Sequence, residues 1–191
     1  MSKSIALIMV DGPADWEYAP VMAAAHAWFG MKVTSATEDG EPVTSIGGMR
    51  IVPHRRISEL DSNEADLWIL PGSDAWAEKP IPGIILAALE TRVAAGRPVA
   101  GICGATLALA QAGLLQSRPH TSNSLAFLQE NVPDYVGSVH YREQHCVSDG
   151  VVVSAPGTAP ISFAVECLRI LAPGQQAAID EFRAAFAREW A

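Results

Sequence analysis

The chain is poor in cysteine, in positive charge and in aromatic residues, and its one N-terminal apolar run is short. Only three of its 191 residues are cysteines: Cys103, Cys146 and Cys167, an odd number at wide spacing with no Cys-x-x-Cys pair. That pattern suggests neither a disulfide framework nor a zinc ribbon and fits a reducing, cytoplasmic setting. Thirteen Lys and Arg against 21 Asp and Glu leave a formal net charge of −8. Such a surface repels phosphate backbones and anionic lipid, so nucleic acid and membrane are not expected as partners. The run Ile5 to Val10 spans six residues before Asp11-Gly12 stops it, too short for a signal-peptide core or a membrane span. No spacing among the five histidines supports a metal site, and no cofactor is expected.

What the chain does have is apolar material. Hydrophobic residues make up 49% of it, enough to offset the entropy of ordering the backbone, and the length predicts a single domain over residues 1–191. Ile5 to Val10 shows no polar alternation, which predicts a central strand covered on both faces. Asp15 to Phe29 reads as a helix with acids in its first turn and Gly30 just past its end. Lys32 to Ala36, Asp66 to Leu70 and Pro98 to Ile102 read as further strands, and Gly47-Gly48 within Pro42 to Val52 as a hairpin turn. Helices are expected over Ile84 to Ala95, Ala105 to Ala112, Pro160 to Leu171 and Ala177 to Trp190. Two β segments around Asp149-Gly150 are expected within Gly137 to Ser154. Alternation of buried strands with helices predicts an α/β three-layer sandwich on a mostly parallel sheet, with any ligand at the carboxyl ends of the strands.

Three strand ends stand out: Asp11, Pro71-Gly72 and Cys103. The stretch Ala100-Gly101-Ile102-Cys103-Gly104-Ala105 sets a thiol between strand and helix with glycine at −2 and +1. This spacing resembles a nucleophile elbow, whose central residue is strained and projects into a pocket. A helix N-terminus also favours the thiolate, so a reactive Cys103 with a depressed pKa is expected. The alternative is a small buried hydrophobe, which is the expectation for Cys146 and Cys167.

Four segments together resemble the DJ-1/PfpI (ThiJ/PfpI) superfamily: Asp11 to Glu17, Leu70-Pro71-Gly72-Ser73, Ala100 to Ala105, and Ala155-Pro156-Gly157-Thr158. The resemblance implies a flavodoxin-like sandwich related to class I glutamine amidotransferase domains, and a homodimer. Thr121-Ser122-Asn123 is similar to a bacterial branch described as intracellular proteases or amidases. By the same resemblance Glu17 is the acid that contacts the elbow thiol, and the two form a coupled pair in which a protonated Glu17 can donate to a Cys103 thiolate. Backbone N–H groups of Gly72, Ser73 and Gly104 are candidates for an oxyanion hole.

The pattern also departs from the family. Protease-like members carry histidine directly after the nucleophile, where this chain has Gly104, and the DJ-1 branch carries one twenty residues on, where this chain has the pocket residue Asn123. His120 is the nearest substitute, either as general base at the pocket rim or as a solvated loop histidine. The expected function is a hydrolase or lyase that attacks a small amide or reactive carbonyl through Cys103. The alternative is a redox or stress-response protein whose Cys103 is oxidised without significant turnover. Amide transfer of the glutamine amidotransferase type lacks its late histidine here.

Overall fold

The computed structural model describes residues 2–61 and 64–188. The chain opens with strand β1 (Ser4–Ile8), helix α1 (Asp15–Ala27) and strand β2 (Lys32–Thr37). A small hairpin follows, β3 (Val43–Thr44) and β4 (Arg50–Ile51), then the edge strand β5 (Arg55–Arg56), which pairs in parallel with β2. Strand β6 (Leu67–Leu70) leads through a short helix α2 (Ala75–Glu78) to α3 (Gly83–Ala94), and β7 (Val99–Ile102) leads through a 3₁₀ turn at Cys103–Ala105 into α4 (Thr106–Gln111). Helix α5 (Leu125–Asn131), strands β8 (Val147–Ser148) and β9 (Val152–Ala155), and helices α6 (Pro160–Leu171) and α7 (Gln176–Ala187) complete the described chain.

Seven strands form one sheet in the order β5-β2-β1-β6-β7-β9-β8, parallel throughout except for the antiparallel β8–β9 pair at the edge. The winding direction reverses between β1 and β6, so a crevice opens at the carboxyl ends of β1, β6 and β7. Strand pleating explains the continuous apolar runs. Ile5, Leu7 and Met9 pack on the face covered by α1 and α6, whereas Ala6 and Ile8 pack on the face covered by α3 and α4. Leu67 and Ile69 divide from Trp68 and Leu70 in the same way. Gly101 is a packing glycine, because a Cβ there would sit 2.8 Å from Leu109 Cδ1 on α4.

The structure adds β5, α2 and α5 to the expected elements and shortens one expected β segment. The two β segments expected around Asp149-Gly150 are β8 and β9, which pair there, but the first is confined to Val147–Ser148, with Gly137–His140 a 3₁₀ turn and Tyr141 in an isolated bridge to His120. Gly137 is pressed against Tyr135 and His120, and the backbone on either side of Tyr141 bonds to His120, the Arg142 N–H reaching the His120 carbonyl at 2.8 Å. Helix α5 was not anticipated, although Ser124 caps it by accepting the Phe127 N–H at 2.9 Å. Of the expected C-terminal helix, Glu189 and Trp190 lie outside the described residues.

Candidate functional site

Cys103 is the first residue after β7, and its backbone has φ +58°, in the left-handed region that a non-glycine residue rarely occupies. The strain is held from behind. Thr106 Oγ1 donates to the Cys103 carbonyl at 2.6 Å and, its proton so used, accepts from Ser122 Oγ at 2.7 Å. Thr106 and Ser122 are buried hydroxyls that hold the turn, and sequence reasoning singled out neither for this task.

Glu17 reaches the same point from the first turn of α1. Its residue is 1% exposed, and Oε2 accepts the Gly72 N–H at 2.6 Å. The carboxyl shares a hydrogen bond with the Cys103 thiol. Burial pushes Glu17 up to about 7, against the lowering effect of the bonds from Gly72 and Cys103. Burial also pushes the Cys103 thiol up, and the Glu17 charge adds to that, while Asn123 and the Gly104 N–H hold it down. The direction is opposite to the depressed thiol expected from the strand-to-helix turn. α4 is only six residues long, and the nearest charge is a carboxylate, so the local electrostatics favour the neutral thiol while Glu17 is ionised.

Close packing surrounds the pair. A Cβ at Gly72 would lie 2.6 Å from Cys103 Cβ, and one at Gly157 would lie 2.8 Å from Glu17 Oε1 and 2.9 Å from Cys103 Sγ. Gly157 follows β9, and its close approach to the sulfur was not anticipated; its only signal was its place in Ala155-Pro156-Gly157-Thr158. Asn123 bridges the two, donating from Nδ2 to Cys103 Sγ at 3.3 Å and accepting the Gly157 N–H on Oδ1 at 3.0 Å. A cleft of ≈ 140 Å³ opens over the thiol, walled by Trp16, Ile46 and Phe127 with Glu17, Ser73 and Asn123 among its polar lining.

Of the expected oxyanion donors, Ser73 and Gly104 line this cleft, but the Gly72 N–H is already given to Glu17. His120 is not brought to the thiol. It is 0% exposed: Nδ1 lies 2.8 Å from the Arg118 carbonyl and Nε2 lies 2.6 Å from Tyr135 Oη. A carbonyl can only accept, so Nδ1 carries the proton and Nε2 accepts from Tyr135, which leaves no nitrogen free to act as base. Burial accordingly holds its pKa below the ordinary histidine value. Among the described residues, no group of three His, Cys, Asp or Glu side chains is placed to hold a metal ion. Cys167 is buried, and burial pushes both it and Cys146 up, Cys146 to about 12.

The fold is that of an α/β protein with a doubly wound parallel sheet, and at its switch point a thiol on a strained strand-to-helix turn lies beside a buried carboxyl. The DJ-1/PfpI family model matches residues 3–170, and the chain belongs to that family. It is similar to the Bacillus subtilis (strain 168) protein named uncharacterized protease YoaZ, 36% identical over 177 residues, covering 89% of this chain and 84% of that one. The Caenorhabditis elegans glutathione-independent glyoxalase DJR-1.2 is 27% identical over 185 residues, covering 89% of this chain and 90% of that one. Among solved structures, the DJ-1 superfamily protein Atu0886 from Agrobacterium tumefaciens superposes with a TM-score of 0.91 at 38% identity, over 99% of this chain and 100% of that one.

Proposed function

We propose that the chain is a cysteine-dependent hydrolase or lyase in which Cys103 attacks a small amide or reactive carbonyl, with Glu17 in place of His120 as the proton acceptor. The observation that carries this reading is the buried Glu17 carboxyl, raised to about 7 and hydrogen-bonded to the thiol. A base whose pKa lies near neutral pH is both available and strong enough to take a thiol proton during attack. The sulfur forms a bond to the carbonyl carbon, the thiol proton passes to Glu17, and the carbonyl electron pair moves to oxygen. From an aldehyde, protonated Glu17 returns its proton to that oxygen and gives a hemithioacetal; from an amide it gives the proton to nitrogen as the C–N bond breaks and the carbonyl re-forms, leaving a Cys103 thioester that water hydrolyses to the acid and the free thiol. Ser73 lines the cleft, and its N–H is our candidate donor to the developing oxyanion, while the Gly104 N–H serves the sulfur. A cleft of ≈ 140 Å³ is smaller than the usual pocket for a drug-sized ligand, which fits a small substrate.

The relative named as a glyoxalase supports the carbonyl reading, and the relatives named as proteases support the amide reading. The test is consumption of glyoxal, methylglyoxal and a panel of small amides by wild type, Cys103→Ser and Glu17→Gln. Turnover by wild type alone supports the reading, and turnover that persists in Cys103→Ser removes it. The sensor reading has one observation of its own: N–H donors from Asn123 and Gly104 already face the sulfur and would serve the oxygens of an oxidised cysteine. Selective gain of oxygen on Cys103 under mild peroxide, with no substrate consumed, would favour it.

Family members are typically dimers, and we read this chain as a homodimer, with exposed Trp16, Ile46 and Met49 beside the cleft as apolar surface for a second copy. Among the described residues no helix is long and apolar enough to cross a membrane, and the sparse cysteines support a cytoplasmic setting.

A further inference from the structure

We propose that Asn123 is a fixed-direction hydrogen-bond donor to the Cys103 sulfur, a positioning residue that favours the charged form of the thiol, and that the backbone of Gly157 sets that direction. A primary amide presents an acceptor at one end and donors at the other, and turning it by half a rotation exchanges them. The partners at Asn123 permit only one orientation. The Gly157 N–H cannot accept, so the amide end facing it, at 3.0 Å, must be Oδ1. Nδ2 then faces Sγ at 3.3 Å. In the flipped state two donors would oppose each other at Gly157, and an oxygen lone pair would oppose the sulfur.

The arrangement joins two distant parts of the chain. Asn123 sits just before α5, and Gly157 lies just after β9. Gly157 approaches closely enough to do this because it has no side chain: a Cβ would meet Sγ at 2.9 Å. The amide has no proton to lose or gain near neutral pH, so Asn123 contributes direction and partial charge only. The titratable and charged groups that share the cleft with Cys103 are Glu17 from α1 and Asp74 from the segment before α2; the 3₁₀ turn before α4 and the segment after β9 present backbone, through Gly104 and Gly157. Of these carboxyls, Glu17 is the one hydrogen-bonded to the sulfur and pushing its pKa up, and Asn123 acts against it. Asn123 therefore lowers the free energy of the sulfur anion that forms as Glu17 takes the proton.

This inference deepens the proposed function of the Cys103 site, but its test reads the thiol alone and needs no substrate. The rate of Cys103 alkylation by iodoacetamide is measured against pH, with the site read by mass spectrometry, for wild type, Asn123→Asp and Asn123→Ala. Asn123→Asp keeps an oxygen for the Gly157 N–H but replaces the donor with a like charge, so the midpoint is expected to rise by about one pH unit or more, a roughly tenfold slower reaction below it. Asn123→Ala should raise the midpoint by a smaller amount. The alkaline plateau rates should stay close to wild type in both, because a purely structural loss would lower the plateau without moving the midpoint. A midpoint in Asn123→Asp equal to or below wild type overturns the proposal; should that variant fail to fold, an unmoved midpoint in Asn123→Ala does so. Loss of turnover in every variant, with the midpoints moved as expected, would count against the proposed reaction and not against the role of Asn123.

Discussion

Glu17 Oε2 accepts the backbone N–H of Gly72 at 2.6 Å, and this bond fixes the carboxyl beside the thiol. It has a cost as well as a benefit, since the one amide that lowers the Glu17 pKa is outweighed by burial. Replacing Glu17 with Gln keeps an oxygen for Gly72 and removes the charge. The thiol midpoint in alkylation should then fall by about one unit, because the nearby carboxylate was raising it. Turnover should fall by roughly 10²–10⁴-fold, because the base is gone. A midpoint that instead rises would mean that Glu17 acts on the sulfur mainly as a protonated donor.

The same variant makes a prediction about stability. The ordinary value of 4.5 for a glutamate is raised to about 7 in the folded chain, so folding favours the protonated acid. That contribution is fully present below pH 4.5 and is lost as pH rises through about 7, a total loss of about 3 kcal/mol from the 1.36 kcal/mol per unit relation. Urea midpoints for wild type and Glu17→Gln, taken at pH 5 and pH 8, should therefore diverge in favour of the Gln variant at the higher pH. A constant difference between the two would show that Glu17 has an ordinary pKa.

Gly157→Ala places a methyl group 2.9 Å from Sγ and 2.8 Å from Glu17 Oε1. Neither the sulfur on its strained turn nor the buried carboxyl can retreat freely, so a loss of about 1–3 kcal/mol is expected, as for overpacked cores. Alkylation of Cys103 should slow at least tenfold across the pH range. Wild-type melting temperature and wild-type alkylation together would refute the close approach of this loop.

His120→Ala tests the buried histidine. Its loss leaves the Tyr135 hydroxyl and the Arg118 carbonyl without partners, so a destabilisation of about 2–4 kcal/mol is expected. The alkylation midpoint of Cys103 should not move. In wild type the folded pKa of His120 lies below its ordinary value, so the stability it contributes is present above about pH 6.5 and is lost as pH falls further. A reduced catalytic rate in His120→Ala at unchanged melting temperature would instead restore the general-base role.

Arg92 is 0% exposed on α3 and donates to the carbonyls of Glu64, Ala65 and Pro98 at 2.9, 2.7 and 3.1 Å, with its guanidinium 4.8 Å over the Trp68 ring. Burial lowers its pKa to about 10, which leaves it charged at neutral pH. Arg92→Met should cost about 3 kcal/mol or more in urea unfolding through the orphaned carbonyls, with the Cys103 pH profile intact. An unchanged urea midpoint would show that those carbonyls find other partners.

Much of the fold was legible because it rests on local patterns. Apolar runs without alternation marked β1, β6 and β7, and Gly30 and Gly96 past the ends of α1 and α3 adopt the positive φ that their positions suggested. Helix α5 left a signal in Ser124 followed by an apolar stretch, but seven residues are too few for helical periodicity to stand out. The segment from Gly137 to Cys146 does not extend β8, because Gly137 begins a 3₁₀ turn packed against Tyr135 and His120, a contact that local pattern does not encode.

The sequence by itself determined the α/β class, the parallel order of strand and helix, the thiol at the end of β7, and the acid at the start of α1. The class, the order and the thiol depend on residues adjacent in the chain, where spacing carries the information, whereas Glu17 was singled out by the family resemblance. Tertiary structure decided which groups touch the sulfur. It brought Asn123 and Gly157 to Cys103 from segments 20 and more residues away, gave the Gly72 amide to Glu17, and closed His120 against Tyr135. Hydrogen-bond direction and burial settle those roles, and both are properties of three-dimensional neighbours that no local pattern encodes.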